Sequence, residues 1–231
     1  MSGSRPCGRA DCPIIDPASI DRRRLRTILW PPGTERFRGG RTDHAGAPWV
    51  PEGLGNGRFS PLPGRPHAYV AEQRSAAILE SVLHEASGPN PRVYAAQLAR
   101  HSITRLRFRR LVHLVDLRDP ALADLGIEPP ELTDALPMHY ACTRQVAERL
   151  VGSKGTHGFV WTSRQGRLHR ERNPDGLAAE VLEHRRLDAA VIYRDRYDGA
   201  AEVLDTEPLT VDDDPTRYVL ELASLLRIAI L

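Results

Sequence analysis

The sequence predicts a single domain of the α/β (α+β) class, with a mixed sheet flanked by helices. Candidate strands and helices are interspersed along the chain, which is typical of domains that pack helices against a sheet. The 231 residues suffice for one large domain or two small ones. Hydrophobic residues make up 41% and charged residues 27% of the chain, and these are ordinary values for a protein that buries a core.

The chain up to residue 66 contains the weakest signals for regular structure. Residues 1–14 are polar and without periodicity, so we expect a frayed terminus there. Asp16 followed by proline is typical of a helix start, and we predict a short helix that runs through Ile20 and Leu25. Residues 31–66 are rich in proline and glycine and should form mostly loop with brief extended pieces.

Clearer elements begin at residue 67. Short apolar runs bounded by turn residues predict strands over residues 67–71, 102–106, 111–117, 158–162 and 189–193. Apolar residues at helical spacing predict helices over residues 73–86 and 137–151. The apolar stretch 218–231 is interrupted by two charged residues and predicts a buried terminal element.

Cysteine usage and the absence of apolar runs bear on the compartment. Three cysteines are too few for a disulfide scaffold, which favours a reducing environment. The first residues lack the apolar core of a signal peptide, and no run of about 18 apolar residues occurs. We therefore expect a cytoplasmic protein that makes no membrane contact. Cys7 and Cys12 are isolated from histidines along the chain, so no metal is expected.

The basic residues are unevenly distributed. Residues 1–110 contain 18 basic and 9 acidic residues, whereas the remainder contains 14 and 21. The runs at 22–26 and 105–110 supply the arginines that a nucleic-acid-binding module would need. In the second run the arginines alternate with Leu106 and Phe108, as on the exposed side of a strand. No recognition-helix motif accompanies them, so this interpretation is the weaker one.

Motifs of the common nucleotide-binding, hydrolytic and zinc-dependent enzymes are absent from the sequence. What remains is a set of individual residues with suggestive chemistry. Glu80 lies at the edge of the apolar side of a predicted helix, where a carboxylate needs a cationic partner; a salt bridge with Arg58 or Arg38 is the simpler interpretation. The two guanidinium groups are also suited to bidentate phosphate contacts. Ser163 follows a strand, where ligand sites collect in α/β folds.

Taken in order, these residues resemble the RES-domain family, named after its arginine, glutamate and serine. The resemblance rests on six short motifs between residues 30 and 195. They are P-P-G-T-x-x-F-R at 31–38, G-x-G-R-F at 55–59, A-Y-V-A…A-A-x-x-E at 68–80, L-V-x-L-V-D-L at 111–117, Y-x-x-T-R at 140–144 and G-F-V-W-T-S-R-Q at 158–165. The resemblance implies a RES-like catalytic domain over residues 30–231, preceded by a partly flexible N-terminal extension, residues 1–29.

The same resemblance implies an activity and partners. Family members are similar in fold to mono-ADP-ribosyltransferases and act as toxins on NAD, which implies cleavage of the nicotinamide–ribose bond by a glycohydrolase or phosphorylase. A mono-ADP-ribosyltransferase acting on a protein is the alternative, as is a non-enzymatic nucleic-acid-binding or interaction module. Inorganic phosphate would be the co-substrate of phosphorolysis. A cognate helix-turn-helix antitoxin of the Xre type is implied, a homo-oligomer is left open, and no direct nucleic-acid contact is expected.

The resemblance assigns three catalytic residues. Arg38 would hold the pyrophosphate or a co-substrate phosphate, although Arg36 is a rival for that position. Glu80 would bind a ribose hydroxyl and stabilise the oxocarbenium character that develops as the bond breaks. Ser163 would orient the ribose or the nicotinamide. Gly39 departs from the expected pattern, because a larger side chain that walls the pocket is expected after Arg38.

Three further residues are assigned to substrate binding. Arg58 would contact the pyrophosphate or a co-substrate phosphate. Tyr69 would pack against a ring of the dinucleotide. Phe37, between the two arginines Arg36 and Arg38, is also assigned to substrate binding. Nicotinamide is already a good leaving group. The fixed charges of the arginines and of Glu80 can therefore assist its departure without a metal.

Overall fold

The computed structural model of the chain describes residues 5–83, 91–164, 187–197, 199–209, 219–220, 222–224 and 228–231. The strands among these residues are β1 (Thr27–Trp30), β2 (Glu35–Arg41), β3 (His67–Ala71), β4 (Arg92–Val93), β5 (His101–Phe108), β6 (Val112–Asp116), β7 (Gly158–Thr162), β8 (Asp188–Tyr193), β9 (Ala201–Pro208) and β10 (Ala229–Ile230). The α-helices are α1 (Arg74–Ser81), α2 (Ala95–Leu98), α3 (Asp119–Leu125) and α4 (Tyr140–Leu150).

Eight of these strands form one sheet. Their order is β1-β6-β7-β8-β3-β2-β5-β9, and only β6 and β7 run parallel to each other within it. The remaining two strands, β4 and β10, form a small parallel pair. A mixed sheet with helices interspersed along the chain confirms the predicted fold class.

Alternation of side chains along the central strands divides the core between the two faces of the sheet. On one face, Val191 of β8 packs in a cluster with α4, and Ala71 of β3 packs in a second cluster with α1. On the other face, Ile192 of β8 packs with aromatic residues such as Trp30 and Phe108. The helices α1 and α4 therefore cover the same face, and the candidate site lies on it.

The helix predicted near the N-terminus is wrong. Asp16 does cap a helical turn, but that turn is a 3-10 helix of three residues, Pro17–Ser19, and Ile20 already has extended backbone. Ile20 and Leu25 are both buried in the α4 cluster. Two residues five positions apart in a helix would point about 140° away from each other, so a helix could not bury both in one cluster.

The strongest predicted elements are confirmed. The strands over 67–71 and 158–162 have the predicted bounds, and the helix over 137–151 is present as a 3-10 turn, Pro137–His139, followed by α4. The helix predicted over 73–86 begins at Arg74, and its predicted end lies outside the described residues.

Two long strands were missed. β2 lies within the stretch predicted as mostly loop, yet it pairs with β5 over seven consecutive positions, from Glu35 with Arg107 to Arg41 with His101. β9 was likewise not predicted and pairs with the other side of β5. Tertiary hydrogen bonding thus overrides the weak local strand signals of both segments.

Residues before the predicted boundary at 29/30 pack in the same hydrophobic core as residues after it. Ile14, Ile20 and Leu25 are buried in the same cluster as α4, and β1 spans the boundary itself. At the other end, Val219 and Leu222 are buried, which agrees with the buried terminal element predicted over 218–231. No helix among the described residues has the length and hydropathy needed to cross a membrane.

Candidate active site

A cavity of about 230 Å³ opens on the face of the sheet that α1 and α4 cover. Its walls come from β2, β3, α1, the loop before β3 and the first residue of α4. The lining residues described are Phe37, Gly39, Val50, Gly55, Asn56, Gly57, Arg58, Ser60, His67, Tyr69, Val70, Ala71, Ala77, Glu80, Ser81 and Tyr140. Four of the six predicted site residues, Phe37, Arg58, Tyr69 and Glu80, therefore meet in one cavity.

Glu80 supplies the negative charge of this cavity. It lies in the last turn of α1 and is half-buried. Ser163, which is fully buried after the end of β7, donates its hydroxyl to Oε1 of Glu80 at 2.5 Å. The backbone N–H of Ser163 donates to the carbonyl of Leu187 at 2.8 Å, which anchors the serine to the chain entering β8. The serine therefore orients the carboxylate from behind.

Arg58 supplies the positive charge. It is 5% exposed, and its guanidinium lies 5.5 Å from the centre of the Tyr140 ring. One contact of the side chain is a long hydrogen bond from Nη2 to the carbonyl of Ala135, at 3.4 Å. Nε has no hydrogen-bond partner among the described residues. A buried guanidinium with unused donor capacity is suited to binding an anion.

One face of α4 holds the loop that presents Arg58. The hydroxyl of Thr143 donates to the carbonyl of Arg58 at 2.5 Å. Nη1 of Arg144 lies 3.3 Å from Oδ1 of Asn56 and 3.4 Å from the carbonyl of Gly57. Positions 140, 143 and 144 are neighbours on a helix surface, which explains the spacing of the Y-x-x-T-R motif.

The aromatic walls of the cavity are built on one another. The ring of Tyr69 meets that of Trp161 edge-on, with 5.1 Å between centroids, and Trp161 in turn meets Phe59 at 5.0 Å. Burial raises the pKa of Tyr69 well above its ordinary value, and the nearby positive charge of Arg58 only partly opposes this. Tyr69 is therefore a neutral phenol at physiological pH. Phe37 faces the cavity from β2, where it pairs with Ala71.

His67 lines the cavity as a neutral imidazole. Burial lowers its pKa to about 4, and the positive charge of Arg38 acts in the same direction. The side chain is 2% exposed, and its Nδ1 has no hydrogen-bond partner among the described residues. At neutral pH the charged groups of the described lining are therefore Arg58 and Glu80.

The structure places Arg38 apart from the other predicted residues. Successive side chains of a strand point to opposite faces, so Arg38 leaves β2 on the face opposite to Phe37 and Gly39. It is 2% exposed, and its Nη2 donates to the carbonyl of His44 at 2.7 Å. Arg38 is not among the described residues that line the cavity.

Arg36, the rival of Arg38, leaves β2 on that same opposite face. Its guanidinium lies 4.2 Å from the centre of the Trp30 ring, and its Nη1 donates to the carbonyl of Glu35. Burial lowers its pKa. The surroundings of Arg36 are thus those of a structural arginine packed on an aromatic ring.

The departure at Gly39 has a packing explanation. α1 crosses directly over β2 at this point, and a Cβ on Gly39 would lie only 2.7 Å from the backbone carbonyl of Ala77. Backbone atoms in a helix cannot give way as a flexible side chain can. The close approach leaves room for no side chain, and it brings Glu80 of α1 to the cavity edge.

Sequence reasoning missed some of the cavity residues. Tyr140 lines the cavity from the start of α4, and its motif was identified in the sequence without a role in the site. His67 and Ser60 lie next to predicted residues but carry no pattern of their own. The helical spacing of Tyr140 with Thr143 and Arg144 is the signal that pointed to a common surface.

Three arginines of the basic run at 105–110 pair with carboxylates. Arg105 pairs with Glu35 and Asp205, and Arg107 pairs with Glu35 at 2.7 Å. Arg109 pairs with Glu202 at 2.5 Å. The carboxylates come from β2 and β9, so ion pairs occupy three of the four arginines in the run that suggested nucleic-acid binding.

Comparison with known proteins supplies a family and a structural neighbour. A model of the RES domain matches residues 34–212, which is most of the chain. A chain of the crystal structure of the M. tuberculosis MbcT–MbcA toxin–antitoxin complex superimposes with a TM-score of 0.53 at 14% sequence identity. That similarity covers 90% of this chain and 98% of the other, and it shows a shared fold. No curated protein matches the sequence.

Proposed function

Because the chain belongs to the RES domain family, we propose that it is a toxin-type enzyme that consumes NAD by breaking the bond between nicotinamide and ribose. The observation that supports this most directly is the carboxylate of Glu80, held by Ser163 at the edge of a cavity that also contains Arg58. A fixed carboxylate next to a fixed cation suits a substrate that develops positive charge on a sugar while it carries phosphates.

The proposed chemistry uses the side chains present. The C1′–N bond breaks, its electron pair passes to the nicotinamide ring, and the ribose develops oxocarbenium character. Glu80 stabilises that positive charge and binds a ribose hydroxyl, while Ser163 keeps the carboxylate oriented. Water then attacks C1′ and releases its proton to solvent, leaving ADP-ribose. In phosphorolysis, inorganic phosphate attacks instead.

Substrate binding falls to the remaining residues of the cavity. Arg58 donates to the pyrophosphate or to a co-substrate phosphate, and its Nε is available for this among the described contacts. Tyr69, Phe37 and Tyr140 offer ring faces and edges to the nicotinamide end. The cavity of about 230 Å³ is small for a whole dinucleotide, so the adenosine end extends toward its mouth.

The family and the neighbour also support a protein partner. The chain of similar fold comes from a toxin–antitoxin complex. We infer that this protein is inhibited by a cognate antitoxin that covers the cavity, with a helix-turn-helix domain of the Xre type. Co-expression of the genomic neighbour followed by co-purification tests this inference, and loss of NAD consumption in the complex is the expected result.

The test of the activity is to incubate the purified full-length chain with NAD, with and without inorganic phosphate, and to follow the products by NMR. Free nicotinamide with ADP-ribose indicates hydrolysis, and a phosphorylated ADP-ribose that forms only with phosphate indicates phosphorolysis. A lysate arm detects ADP-ribosylated protein, the product expected of the transferase alternative. If NAD persists in all arms, the proposed activity is wrong.

A variant links the activity to the site. Glu80→Gln keeps the size of the side chain and removes the charge, and we expect it to reduce NAD turnover by at least about 100-fold. Exposed Glu128 precedes the 3-10 turn Pro129–Glu131 and is not among the described cavity residues, so Glu128→Gln is the matched control and should keep full activity. Equal turnover by the two variants would refute the role of Glu80.

A further inference from the structure

The three cysteines of the chain meet at one place in the fold. The Sγ atoms of Cys7, Cys12 and Cys142 all lie within 4.8 Å of one another, and Cys12 and Cys142 are 3.6 Å apart. No other cysteine occurs in the sequence. All three are free thiols; Cys142 is buried, and the other two are partly buried.

A histidine lies beside this group of cysteines. His139 precedes Cys142 by three positions, which places both on the same side of the chain where α4 begins. Its side chain is 6% exposed and shares a hydrogen bond with the Cys7 thiol. Its Nδ1 is buried with no hydrogen-bond partner among the described residues. An imidazole in this state is available as a ligand.

We propose that Cys7, Cys12, His139 and Cys142 bind one zinc ion as a structural site. Three sulfur ligands and one imidazole nitrogen are a common tetrahedral set for zinc. Two thiolates on one tetrahedral zinc ion, each at 2.3 Å, are about 3.8 Å apart, which is close to the 3.6 Å between Cys12 and Cys142. Zinc binding at these residues releases the thiol protons to solvent.

The expectation that no metal binds rested on the isolation of Cys7 and Cys12 along the chain. Folding removes that isolation, because the segment before Ile14 packs against the start of α4. Four protein ligands leave no open position for chemistry, so the ion fastens the N-terminal segment to α4. Tyr140, adjacent to His139, lines the cavity, and the zinc site therefore also steadies one wall of it.

Metal analysis of the full-length chain, purified in reducing buffer without chelator, is the primary test. We expect about one zinc ion per chain by elemental mass spectrometry. The variants Cys12→Ser and His139→Ala should each reduce zinc content at least tenfold. His44→Ala, which changes a histidine outside the group, is the matched control and should keep the zinc. This readout is independent of NAD consumption, so its failure and a failure of the proposed activity are distinguishable.

Replacement of zinc by cobalt in the wild-type chain gives a second test, which does not depend on whether the variants fold. Removal of zinc from the wild-type chain by chelator should lower Tm, and added Co²⁺ should restore it with the thiolate-to-cobalt absorption of a tetrahedral site. Negligible zinc in the reduced wild-type chain, an octahedral cobalt spectrum or a Cys12–Cys142 disulfide in the freshly purified protein would each overturn the proposal. Retention of zinc by Cys12→Ser or His139→Ala would do the same.

Discussion

At the scale of single residues, two charged side chains, Glu80 and Arg58, line the cavity together with aromatic rings. Glu80 is fixed by the Ser163 hydroxyl, and the loop that carries Arg58 is fixed by Thr143. Preorganisation of this kind matters because a charge already in place costs no reorganisation when the transition state forms. The two arginines named from the sequence differ here, since Arg58 lines the cavity and Arg38 does not.

Replacement of the two arginines separates their roles. Arg58→Ala should lower kcat/KM for NAD by about 10- to 100-fold, because a charge-assisted contact to phosphate contributes about 1.5–3 kcal/mol. Arg38→Ala should mainly lower Tm, because Arg38 is buried and bonded to the carbonyl of His44. Steady-state kinetics normalised to folded protein makes the comparison. A well-folded Arg38→Ala variant with the larger kinetic defect would favour the original prediction that Arg38 contacts the substrate.

His67 makes stability depend on pH. Its pKa is about 4 in the folded chain against 6.5 ordinarily, because burial disfavours the charged ring. Between those values the unfolded chain binds a proton that the folded chain does not, so the free energy of unfolding falls as the pH is lowered. The expected loss from pH 7 to pH 4 is about 3 kcal/mol.

Urea unfolding at several pH values measures this effect. His67→Gln removes the titrating group, so its unfolding free energy should change less between pH 6.5 and pH 4 than that of the wild type. The slope is the readout, because the substitution itself shifts the stability at every pH. Parallel profiles for the two proteins would show that His67 does not control this dependence.

At the scale of elements, the position of α1 over β2 decides the geometry of the site. α1 presents Glu80 to the cavity, and it lies against the sheet only because Gly39 has no side chain. A glycine within a strand often marks such a close approach of another backbone. α4 has the matching role on the other side, where it contacts the loop that carries Arg58.

A methyl group on Gly39 should push α1 away from the sheet. We expect Gly39→Ala to lower the free energy of unfolding by about 2 kcal/mol, because the added Cβ meets the backbone of Ala77. Gly46→Ala is the matched control: a Cβ there has no atom within 4 Å, and we expect a change of at most about 0.5 kcal/mol. Chemical denaturation of both variants checks the difference, and equal midpoints would contradict the proposed crossing.

At the scale of the whole molecule, residues before the predicted boundary at 29/30 contribute to the core. Ile14, Ile20 and Leu25 pack with α4, and β1 closes one edge of the eight-stranded sheet. The division of the chain into an extension, residues 1–29, and a domain, residues 30–231, stays a prediction. The buried contacts indicate that the fold includes the N-terminal residues from near Ile14 onward.

Two leucines on either side of the start of β1 test this dependence. Leu25→Ala should lower the free energy of unfolding by about 2–4 kcal/mol, because Leu25 is 2% exposed and its removal leaves a cavity. Leu29→Ala should cost about 0.5 kcal/mol or less, since Leu29 is 57% exposed. Thermal and urea unfolding give both values. Similar small losses would indicate that the N-terminal residues are dispensable for the fold.

The fold class, the family resemblance and four residues of the candidate site follow from the amino-acid sequence alone. Apolar runs and the turn residues that bound them are local features of the sequence, and they predicted β3 and β7 with the observed bounds. The order of short motifs identified the four predicted residues that share the cavity, together with Ser163 behind Glu80.

Which groups from distant segments meet depends on the tertiary structure. The face of β2 from which Arg38 projects depends on the register with β5, and the fit of α1 on Gly39 depends on packing. Cys12 and Cys142 are 130 positions apart, yet their sulfur atoms are 3.6 Å apart. Such contacts arise from the packing of whole elements, and no local pattern of the chain encodes them.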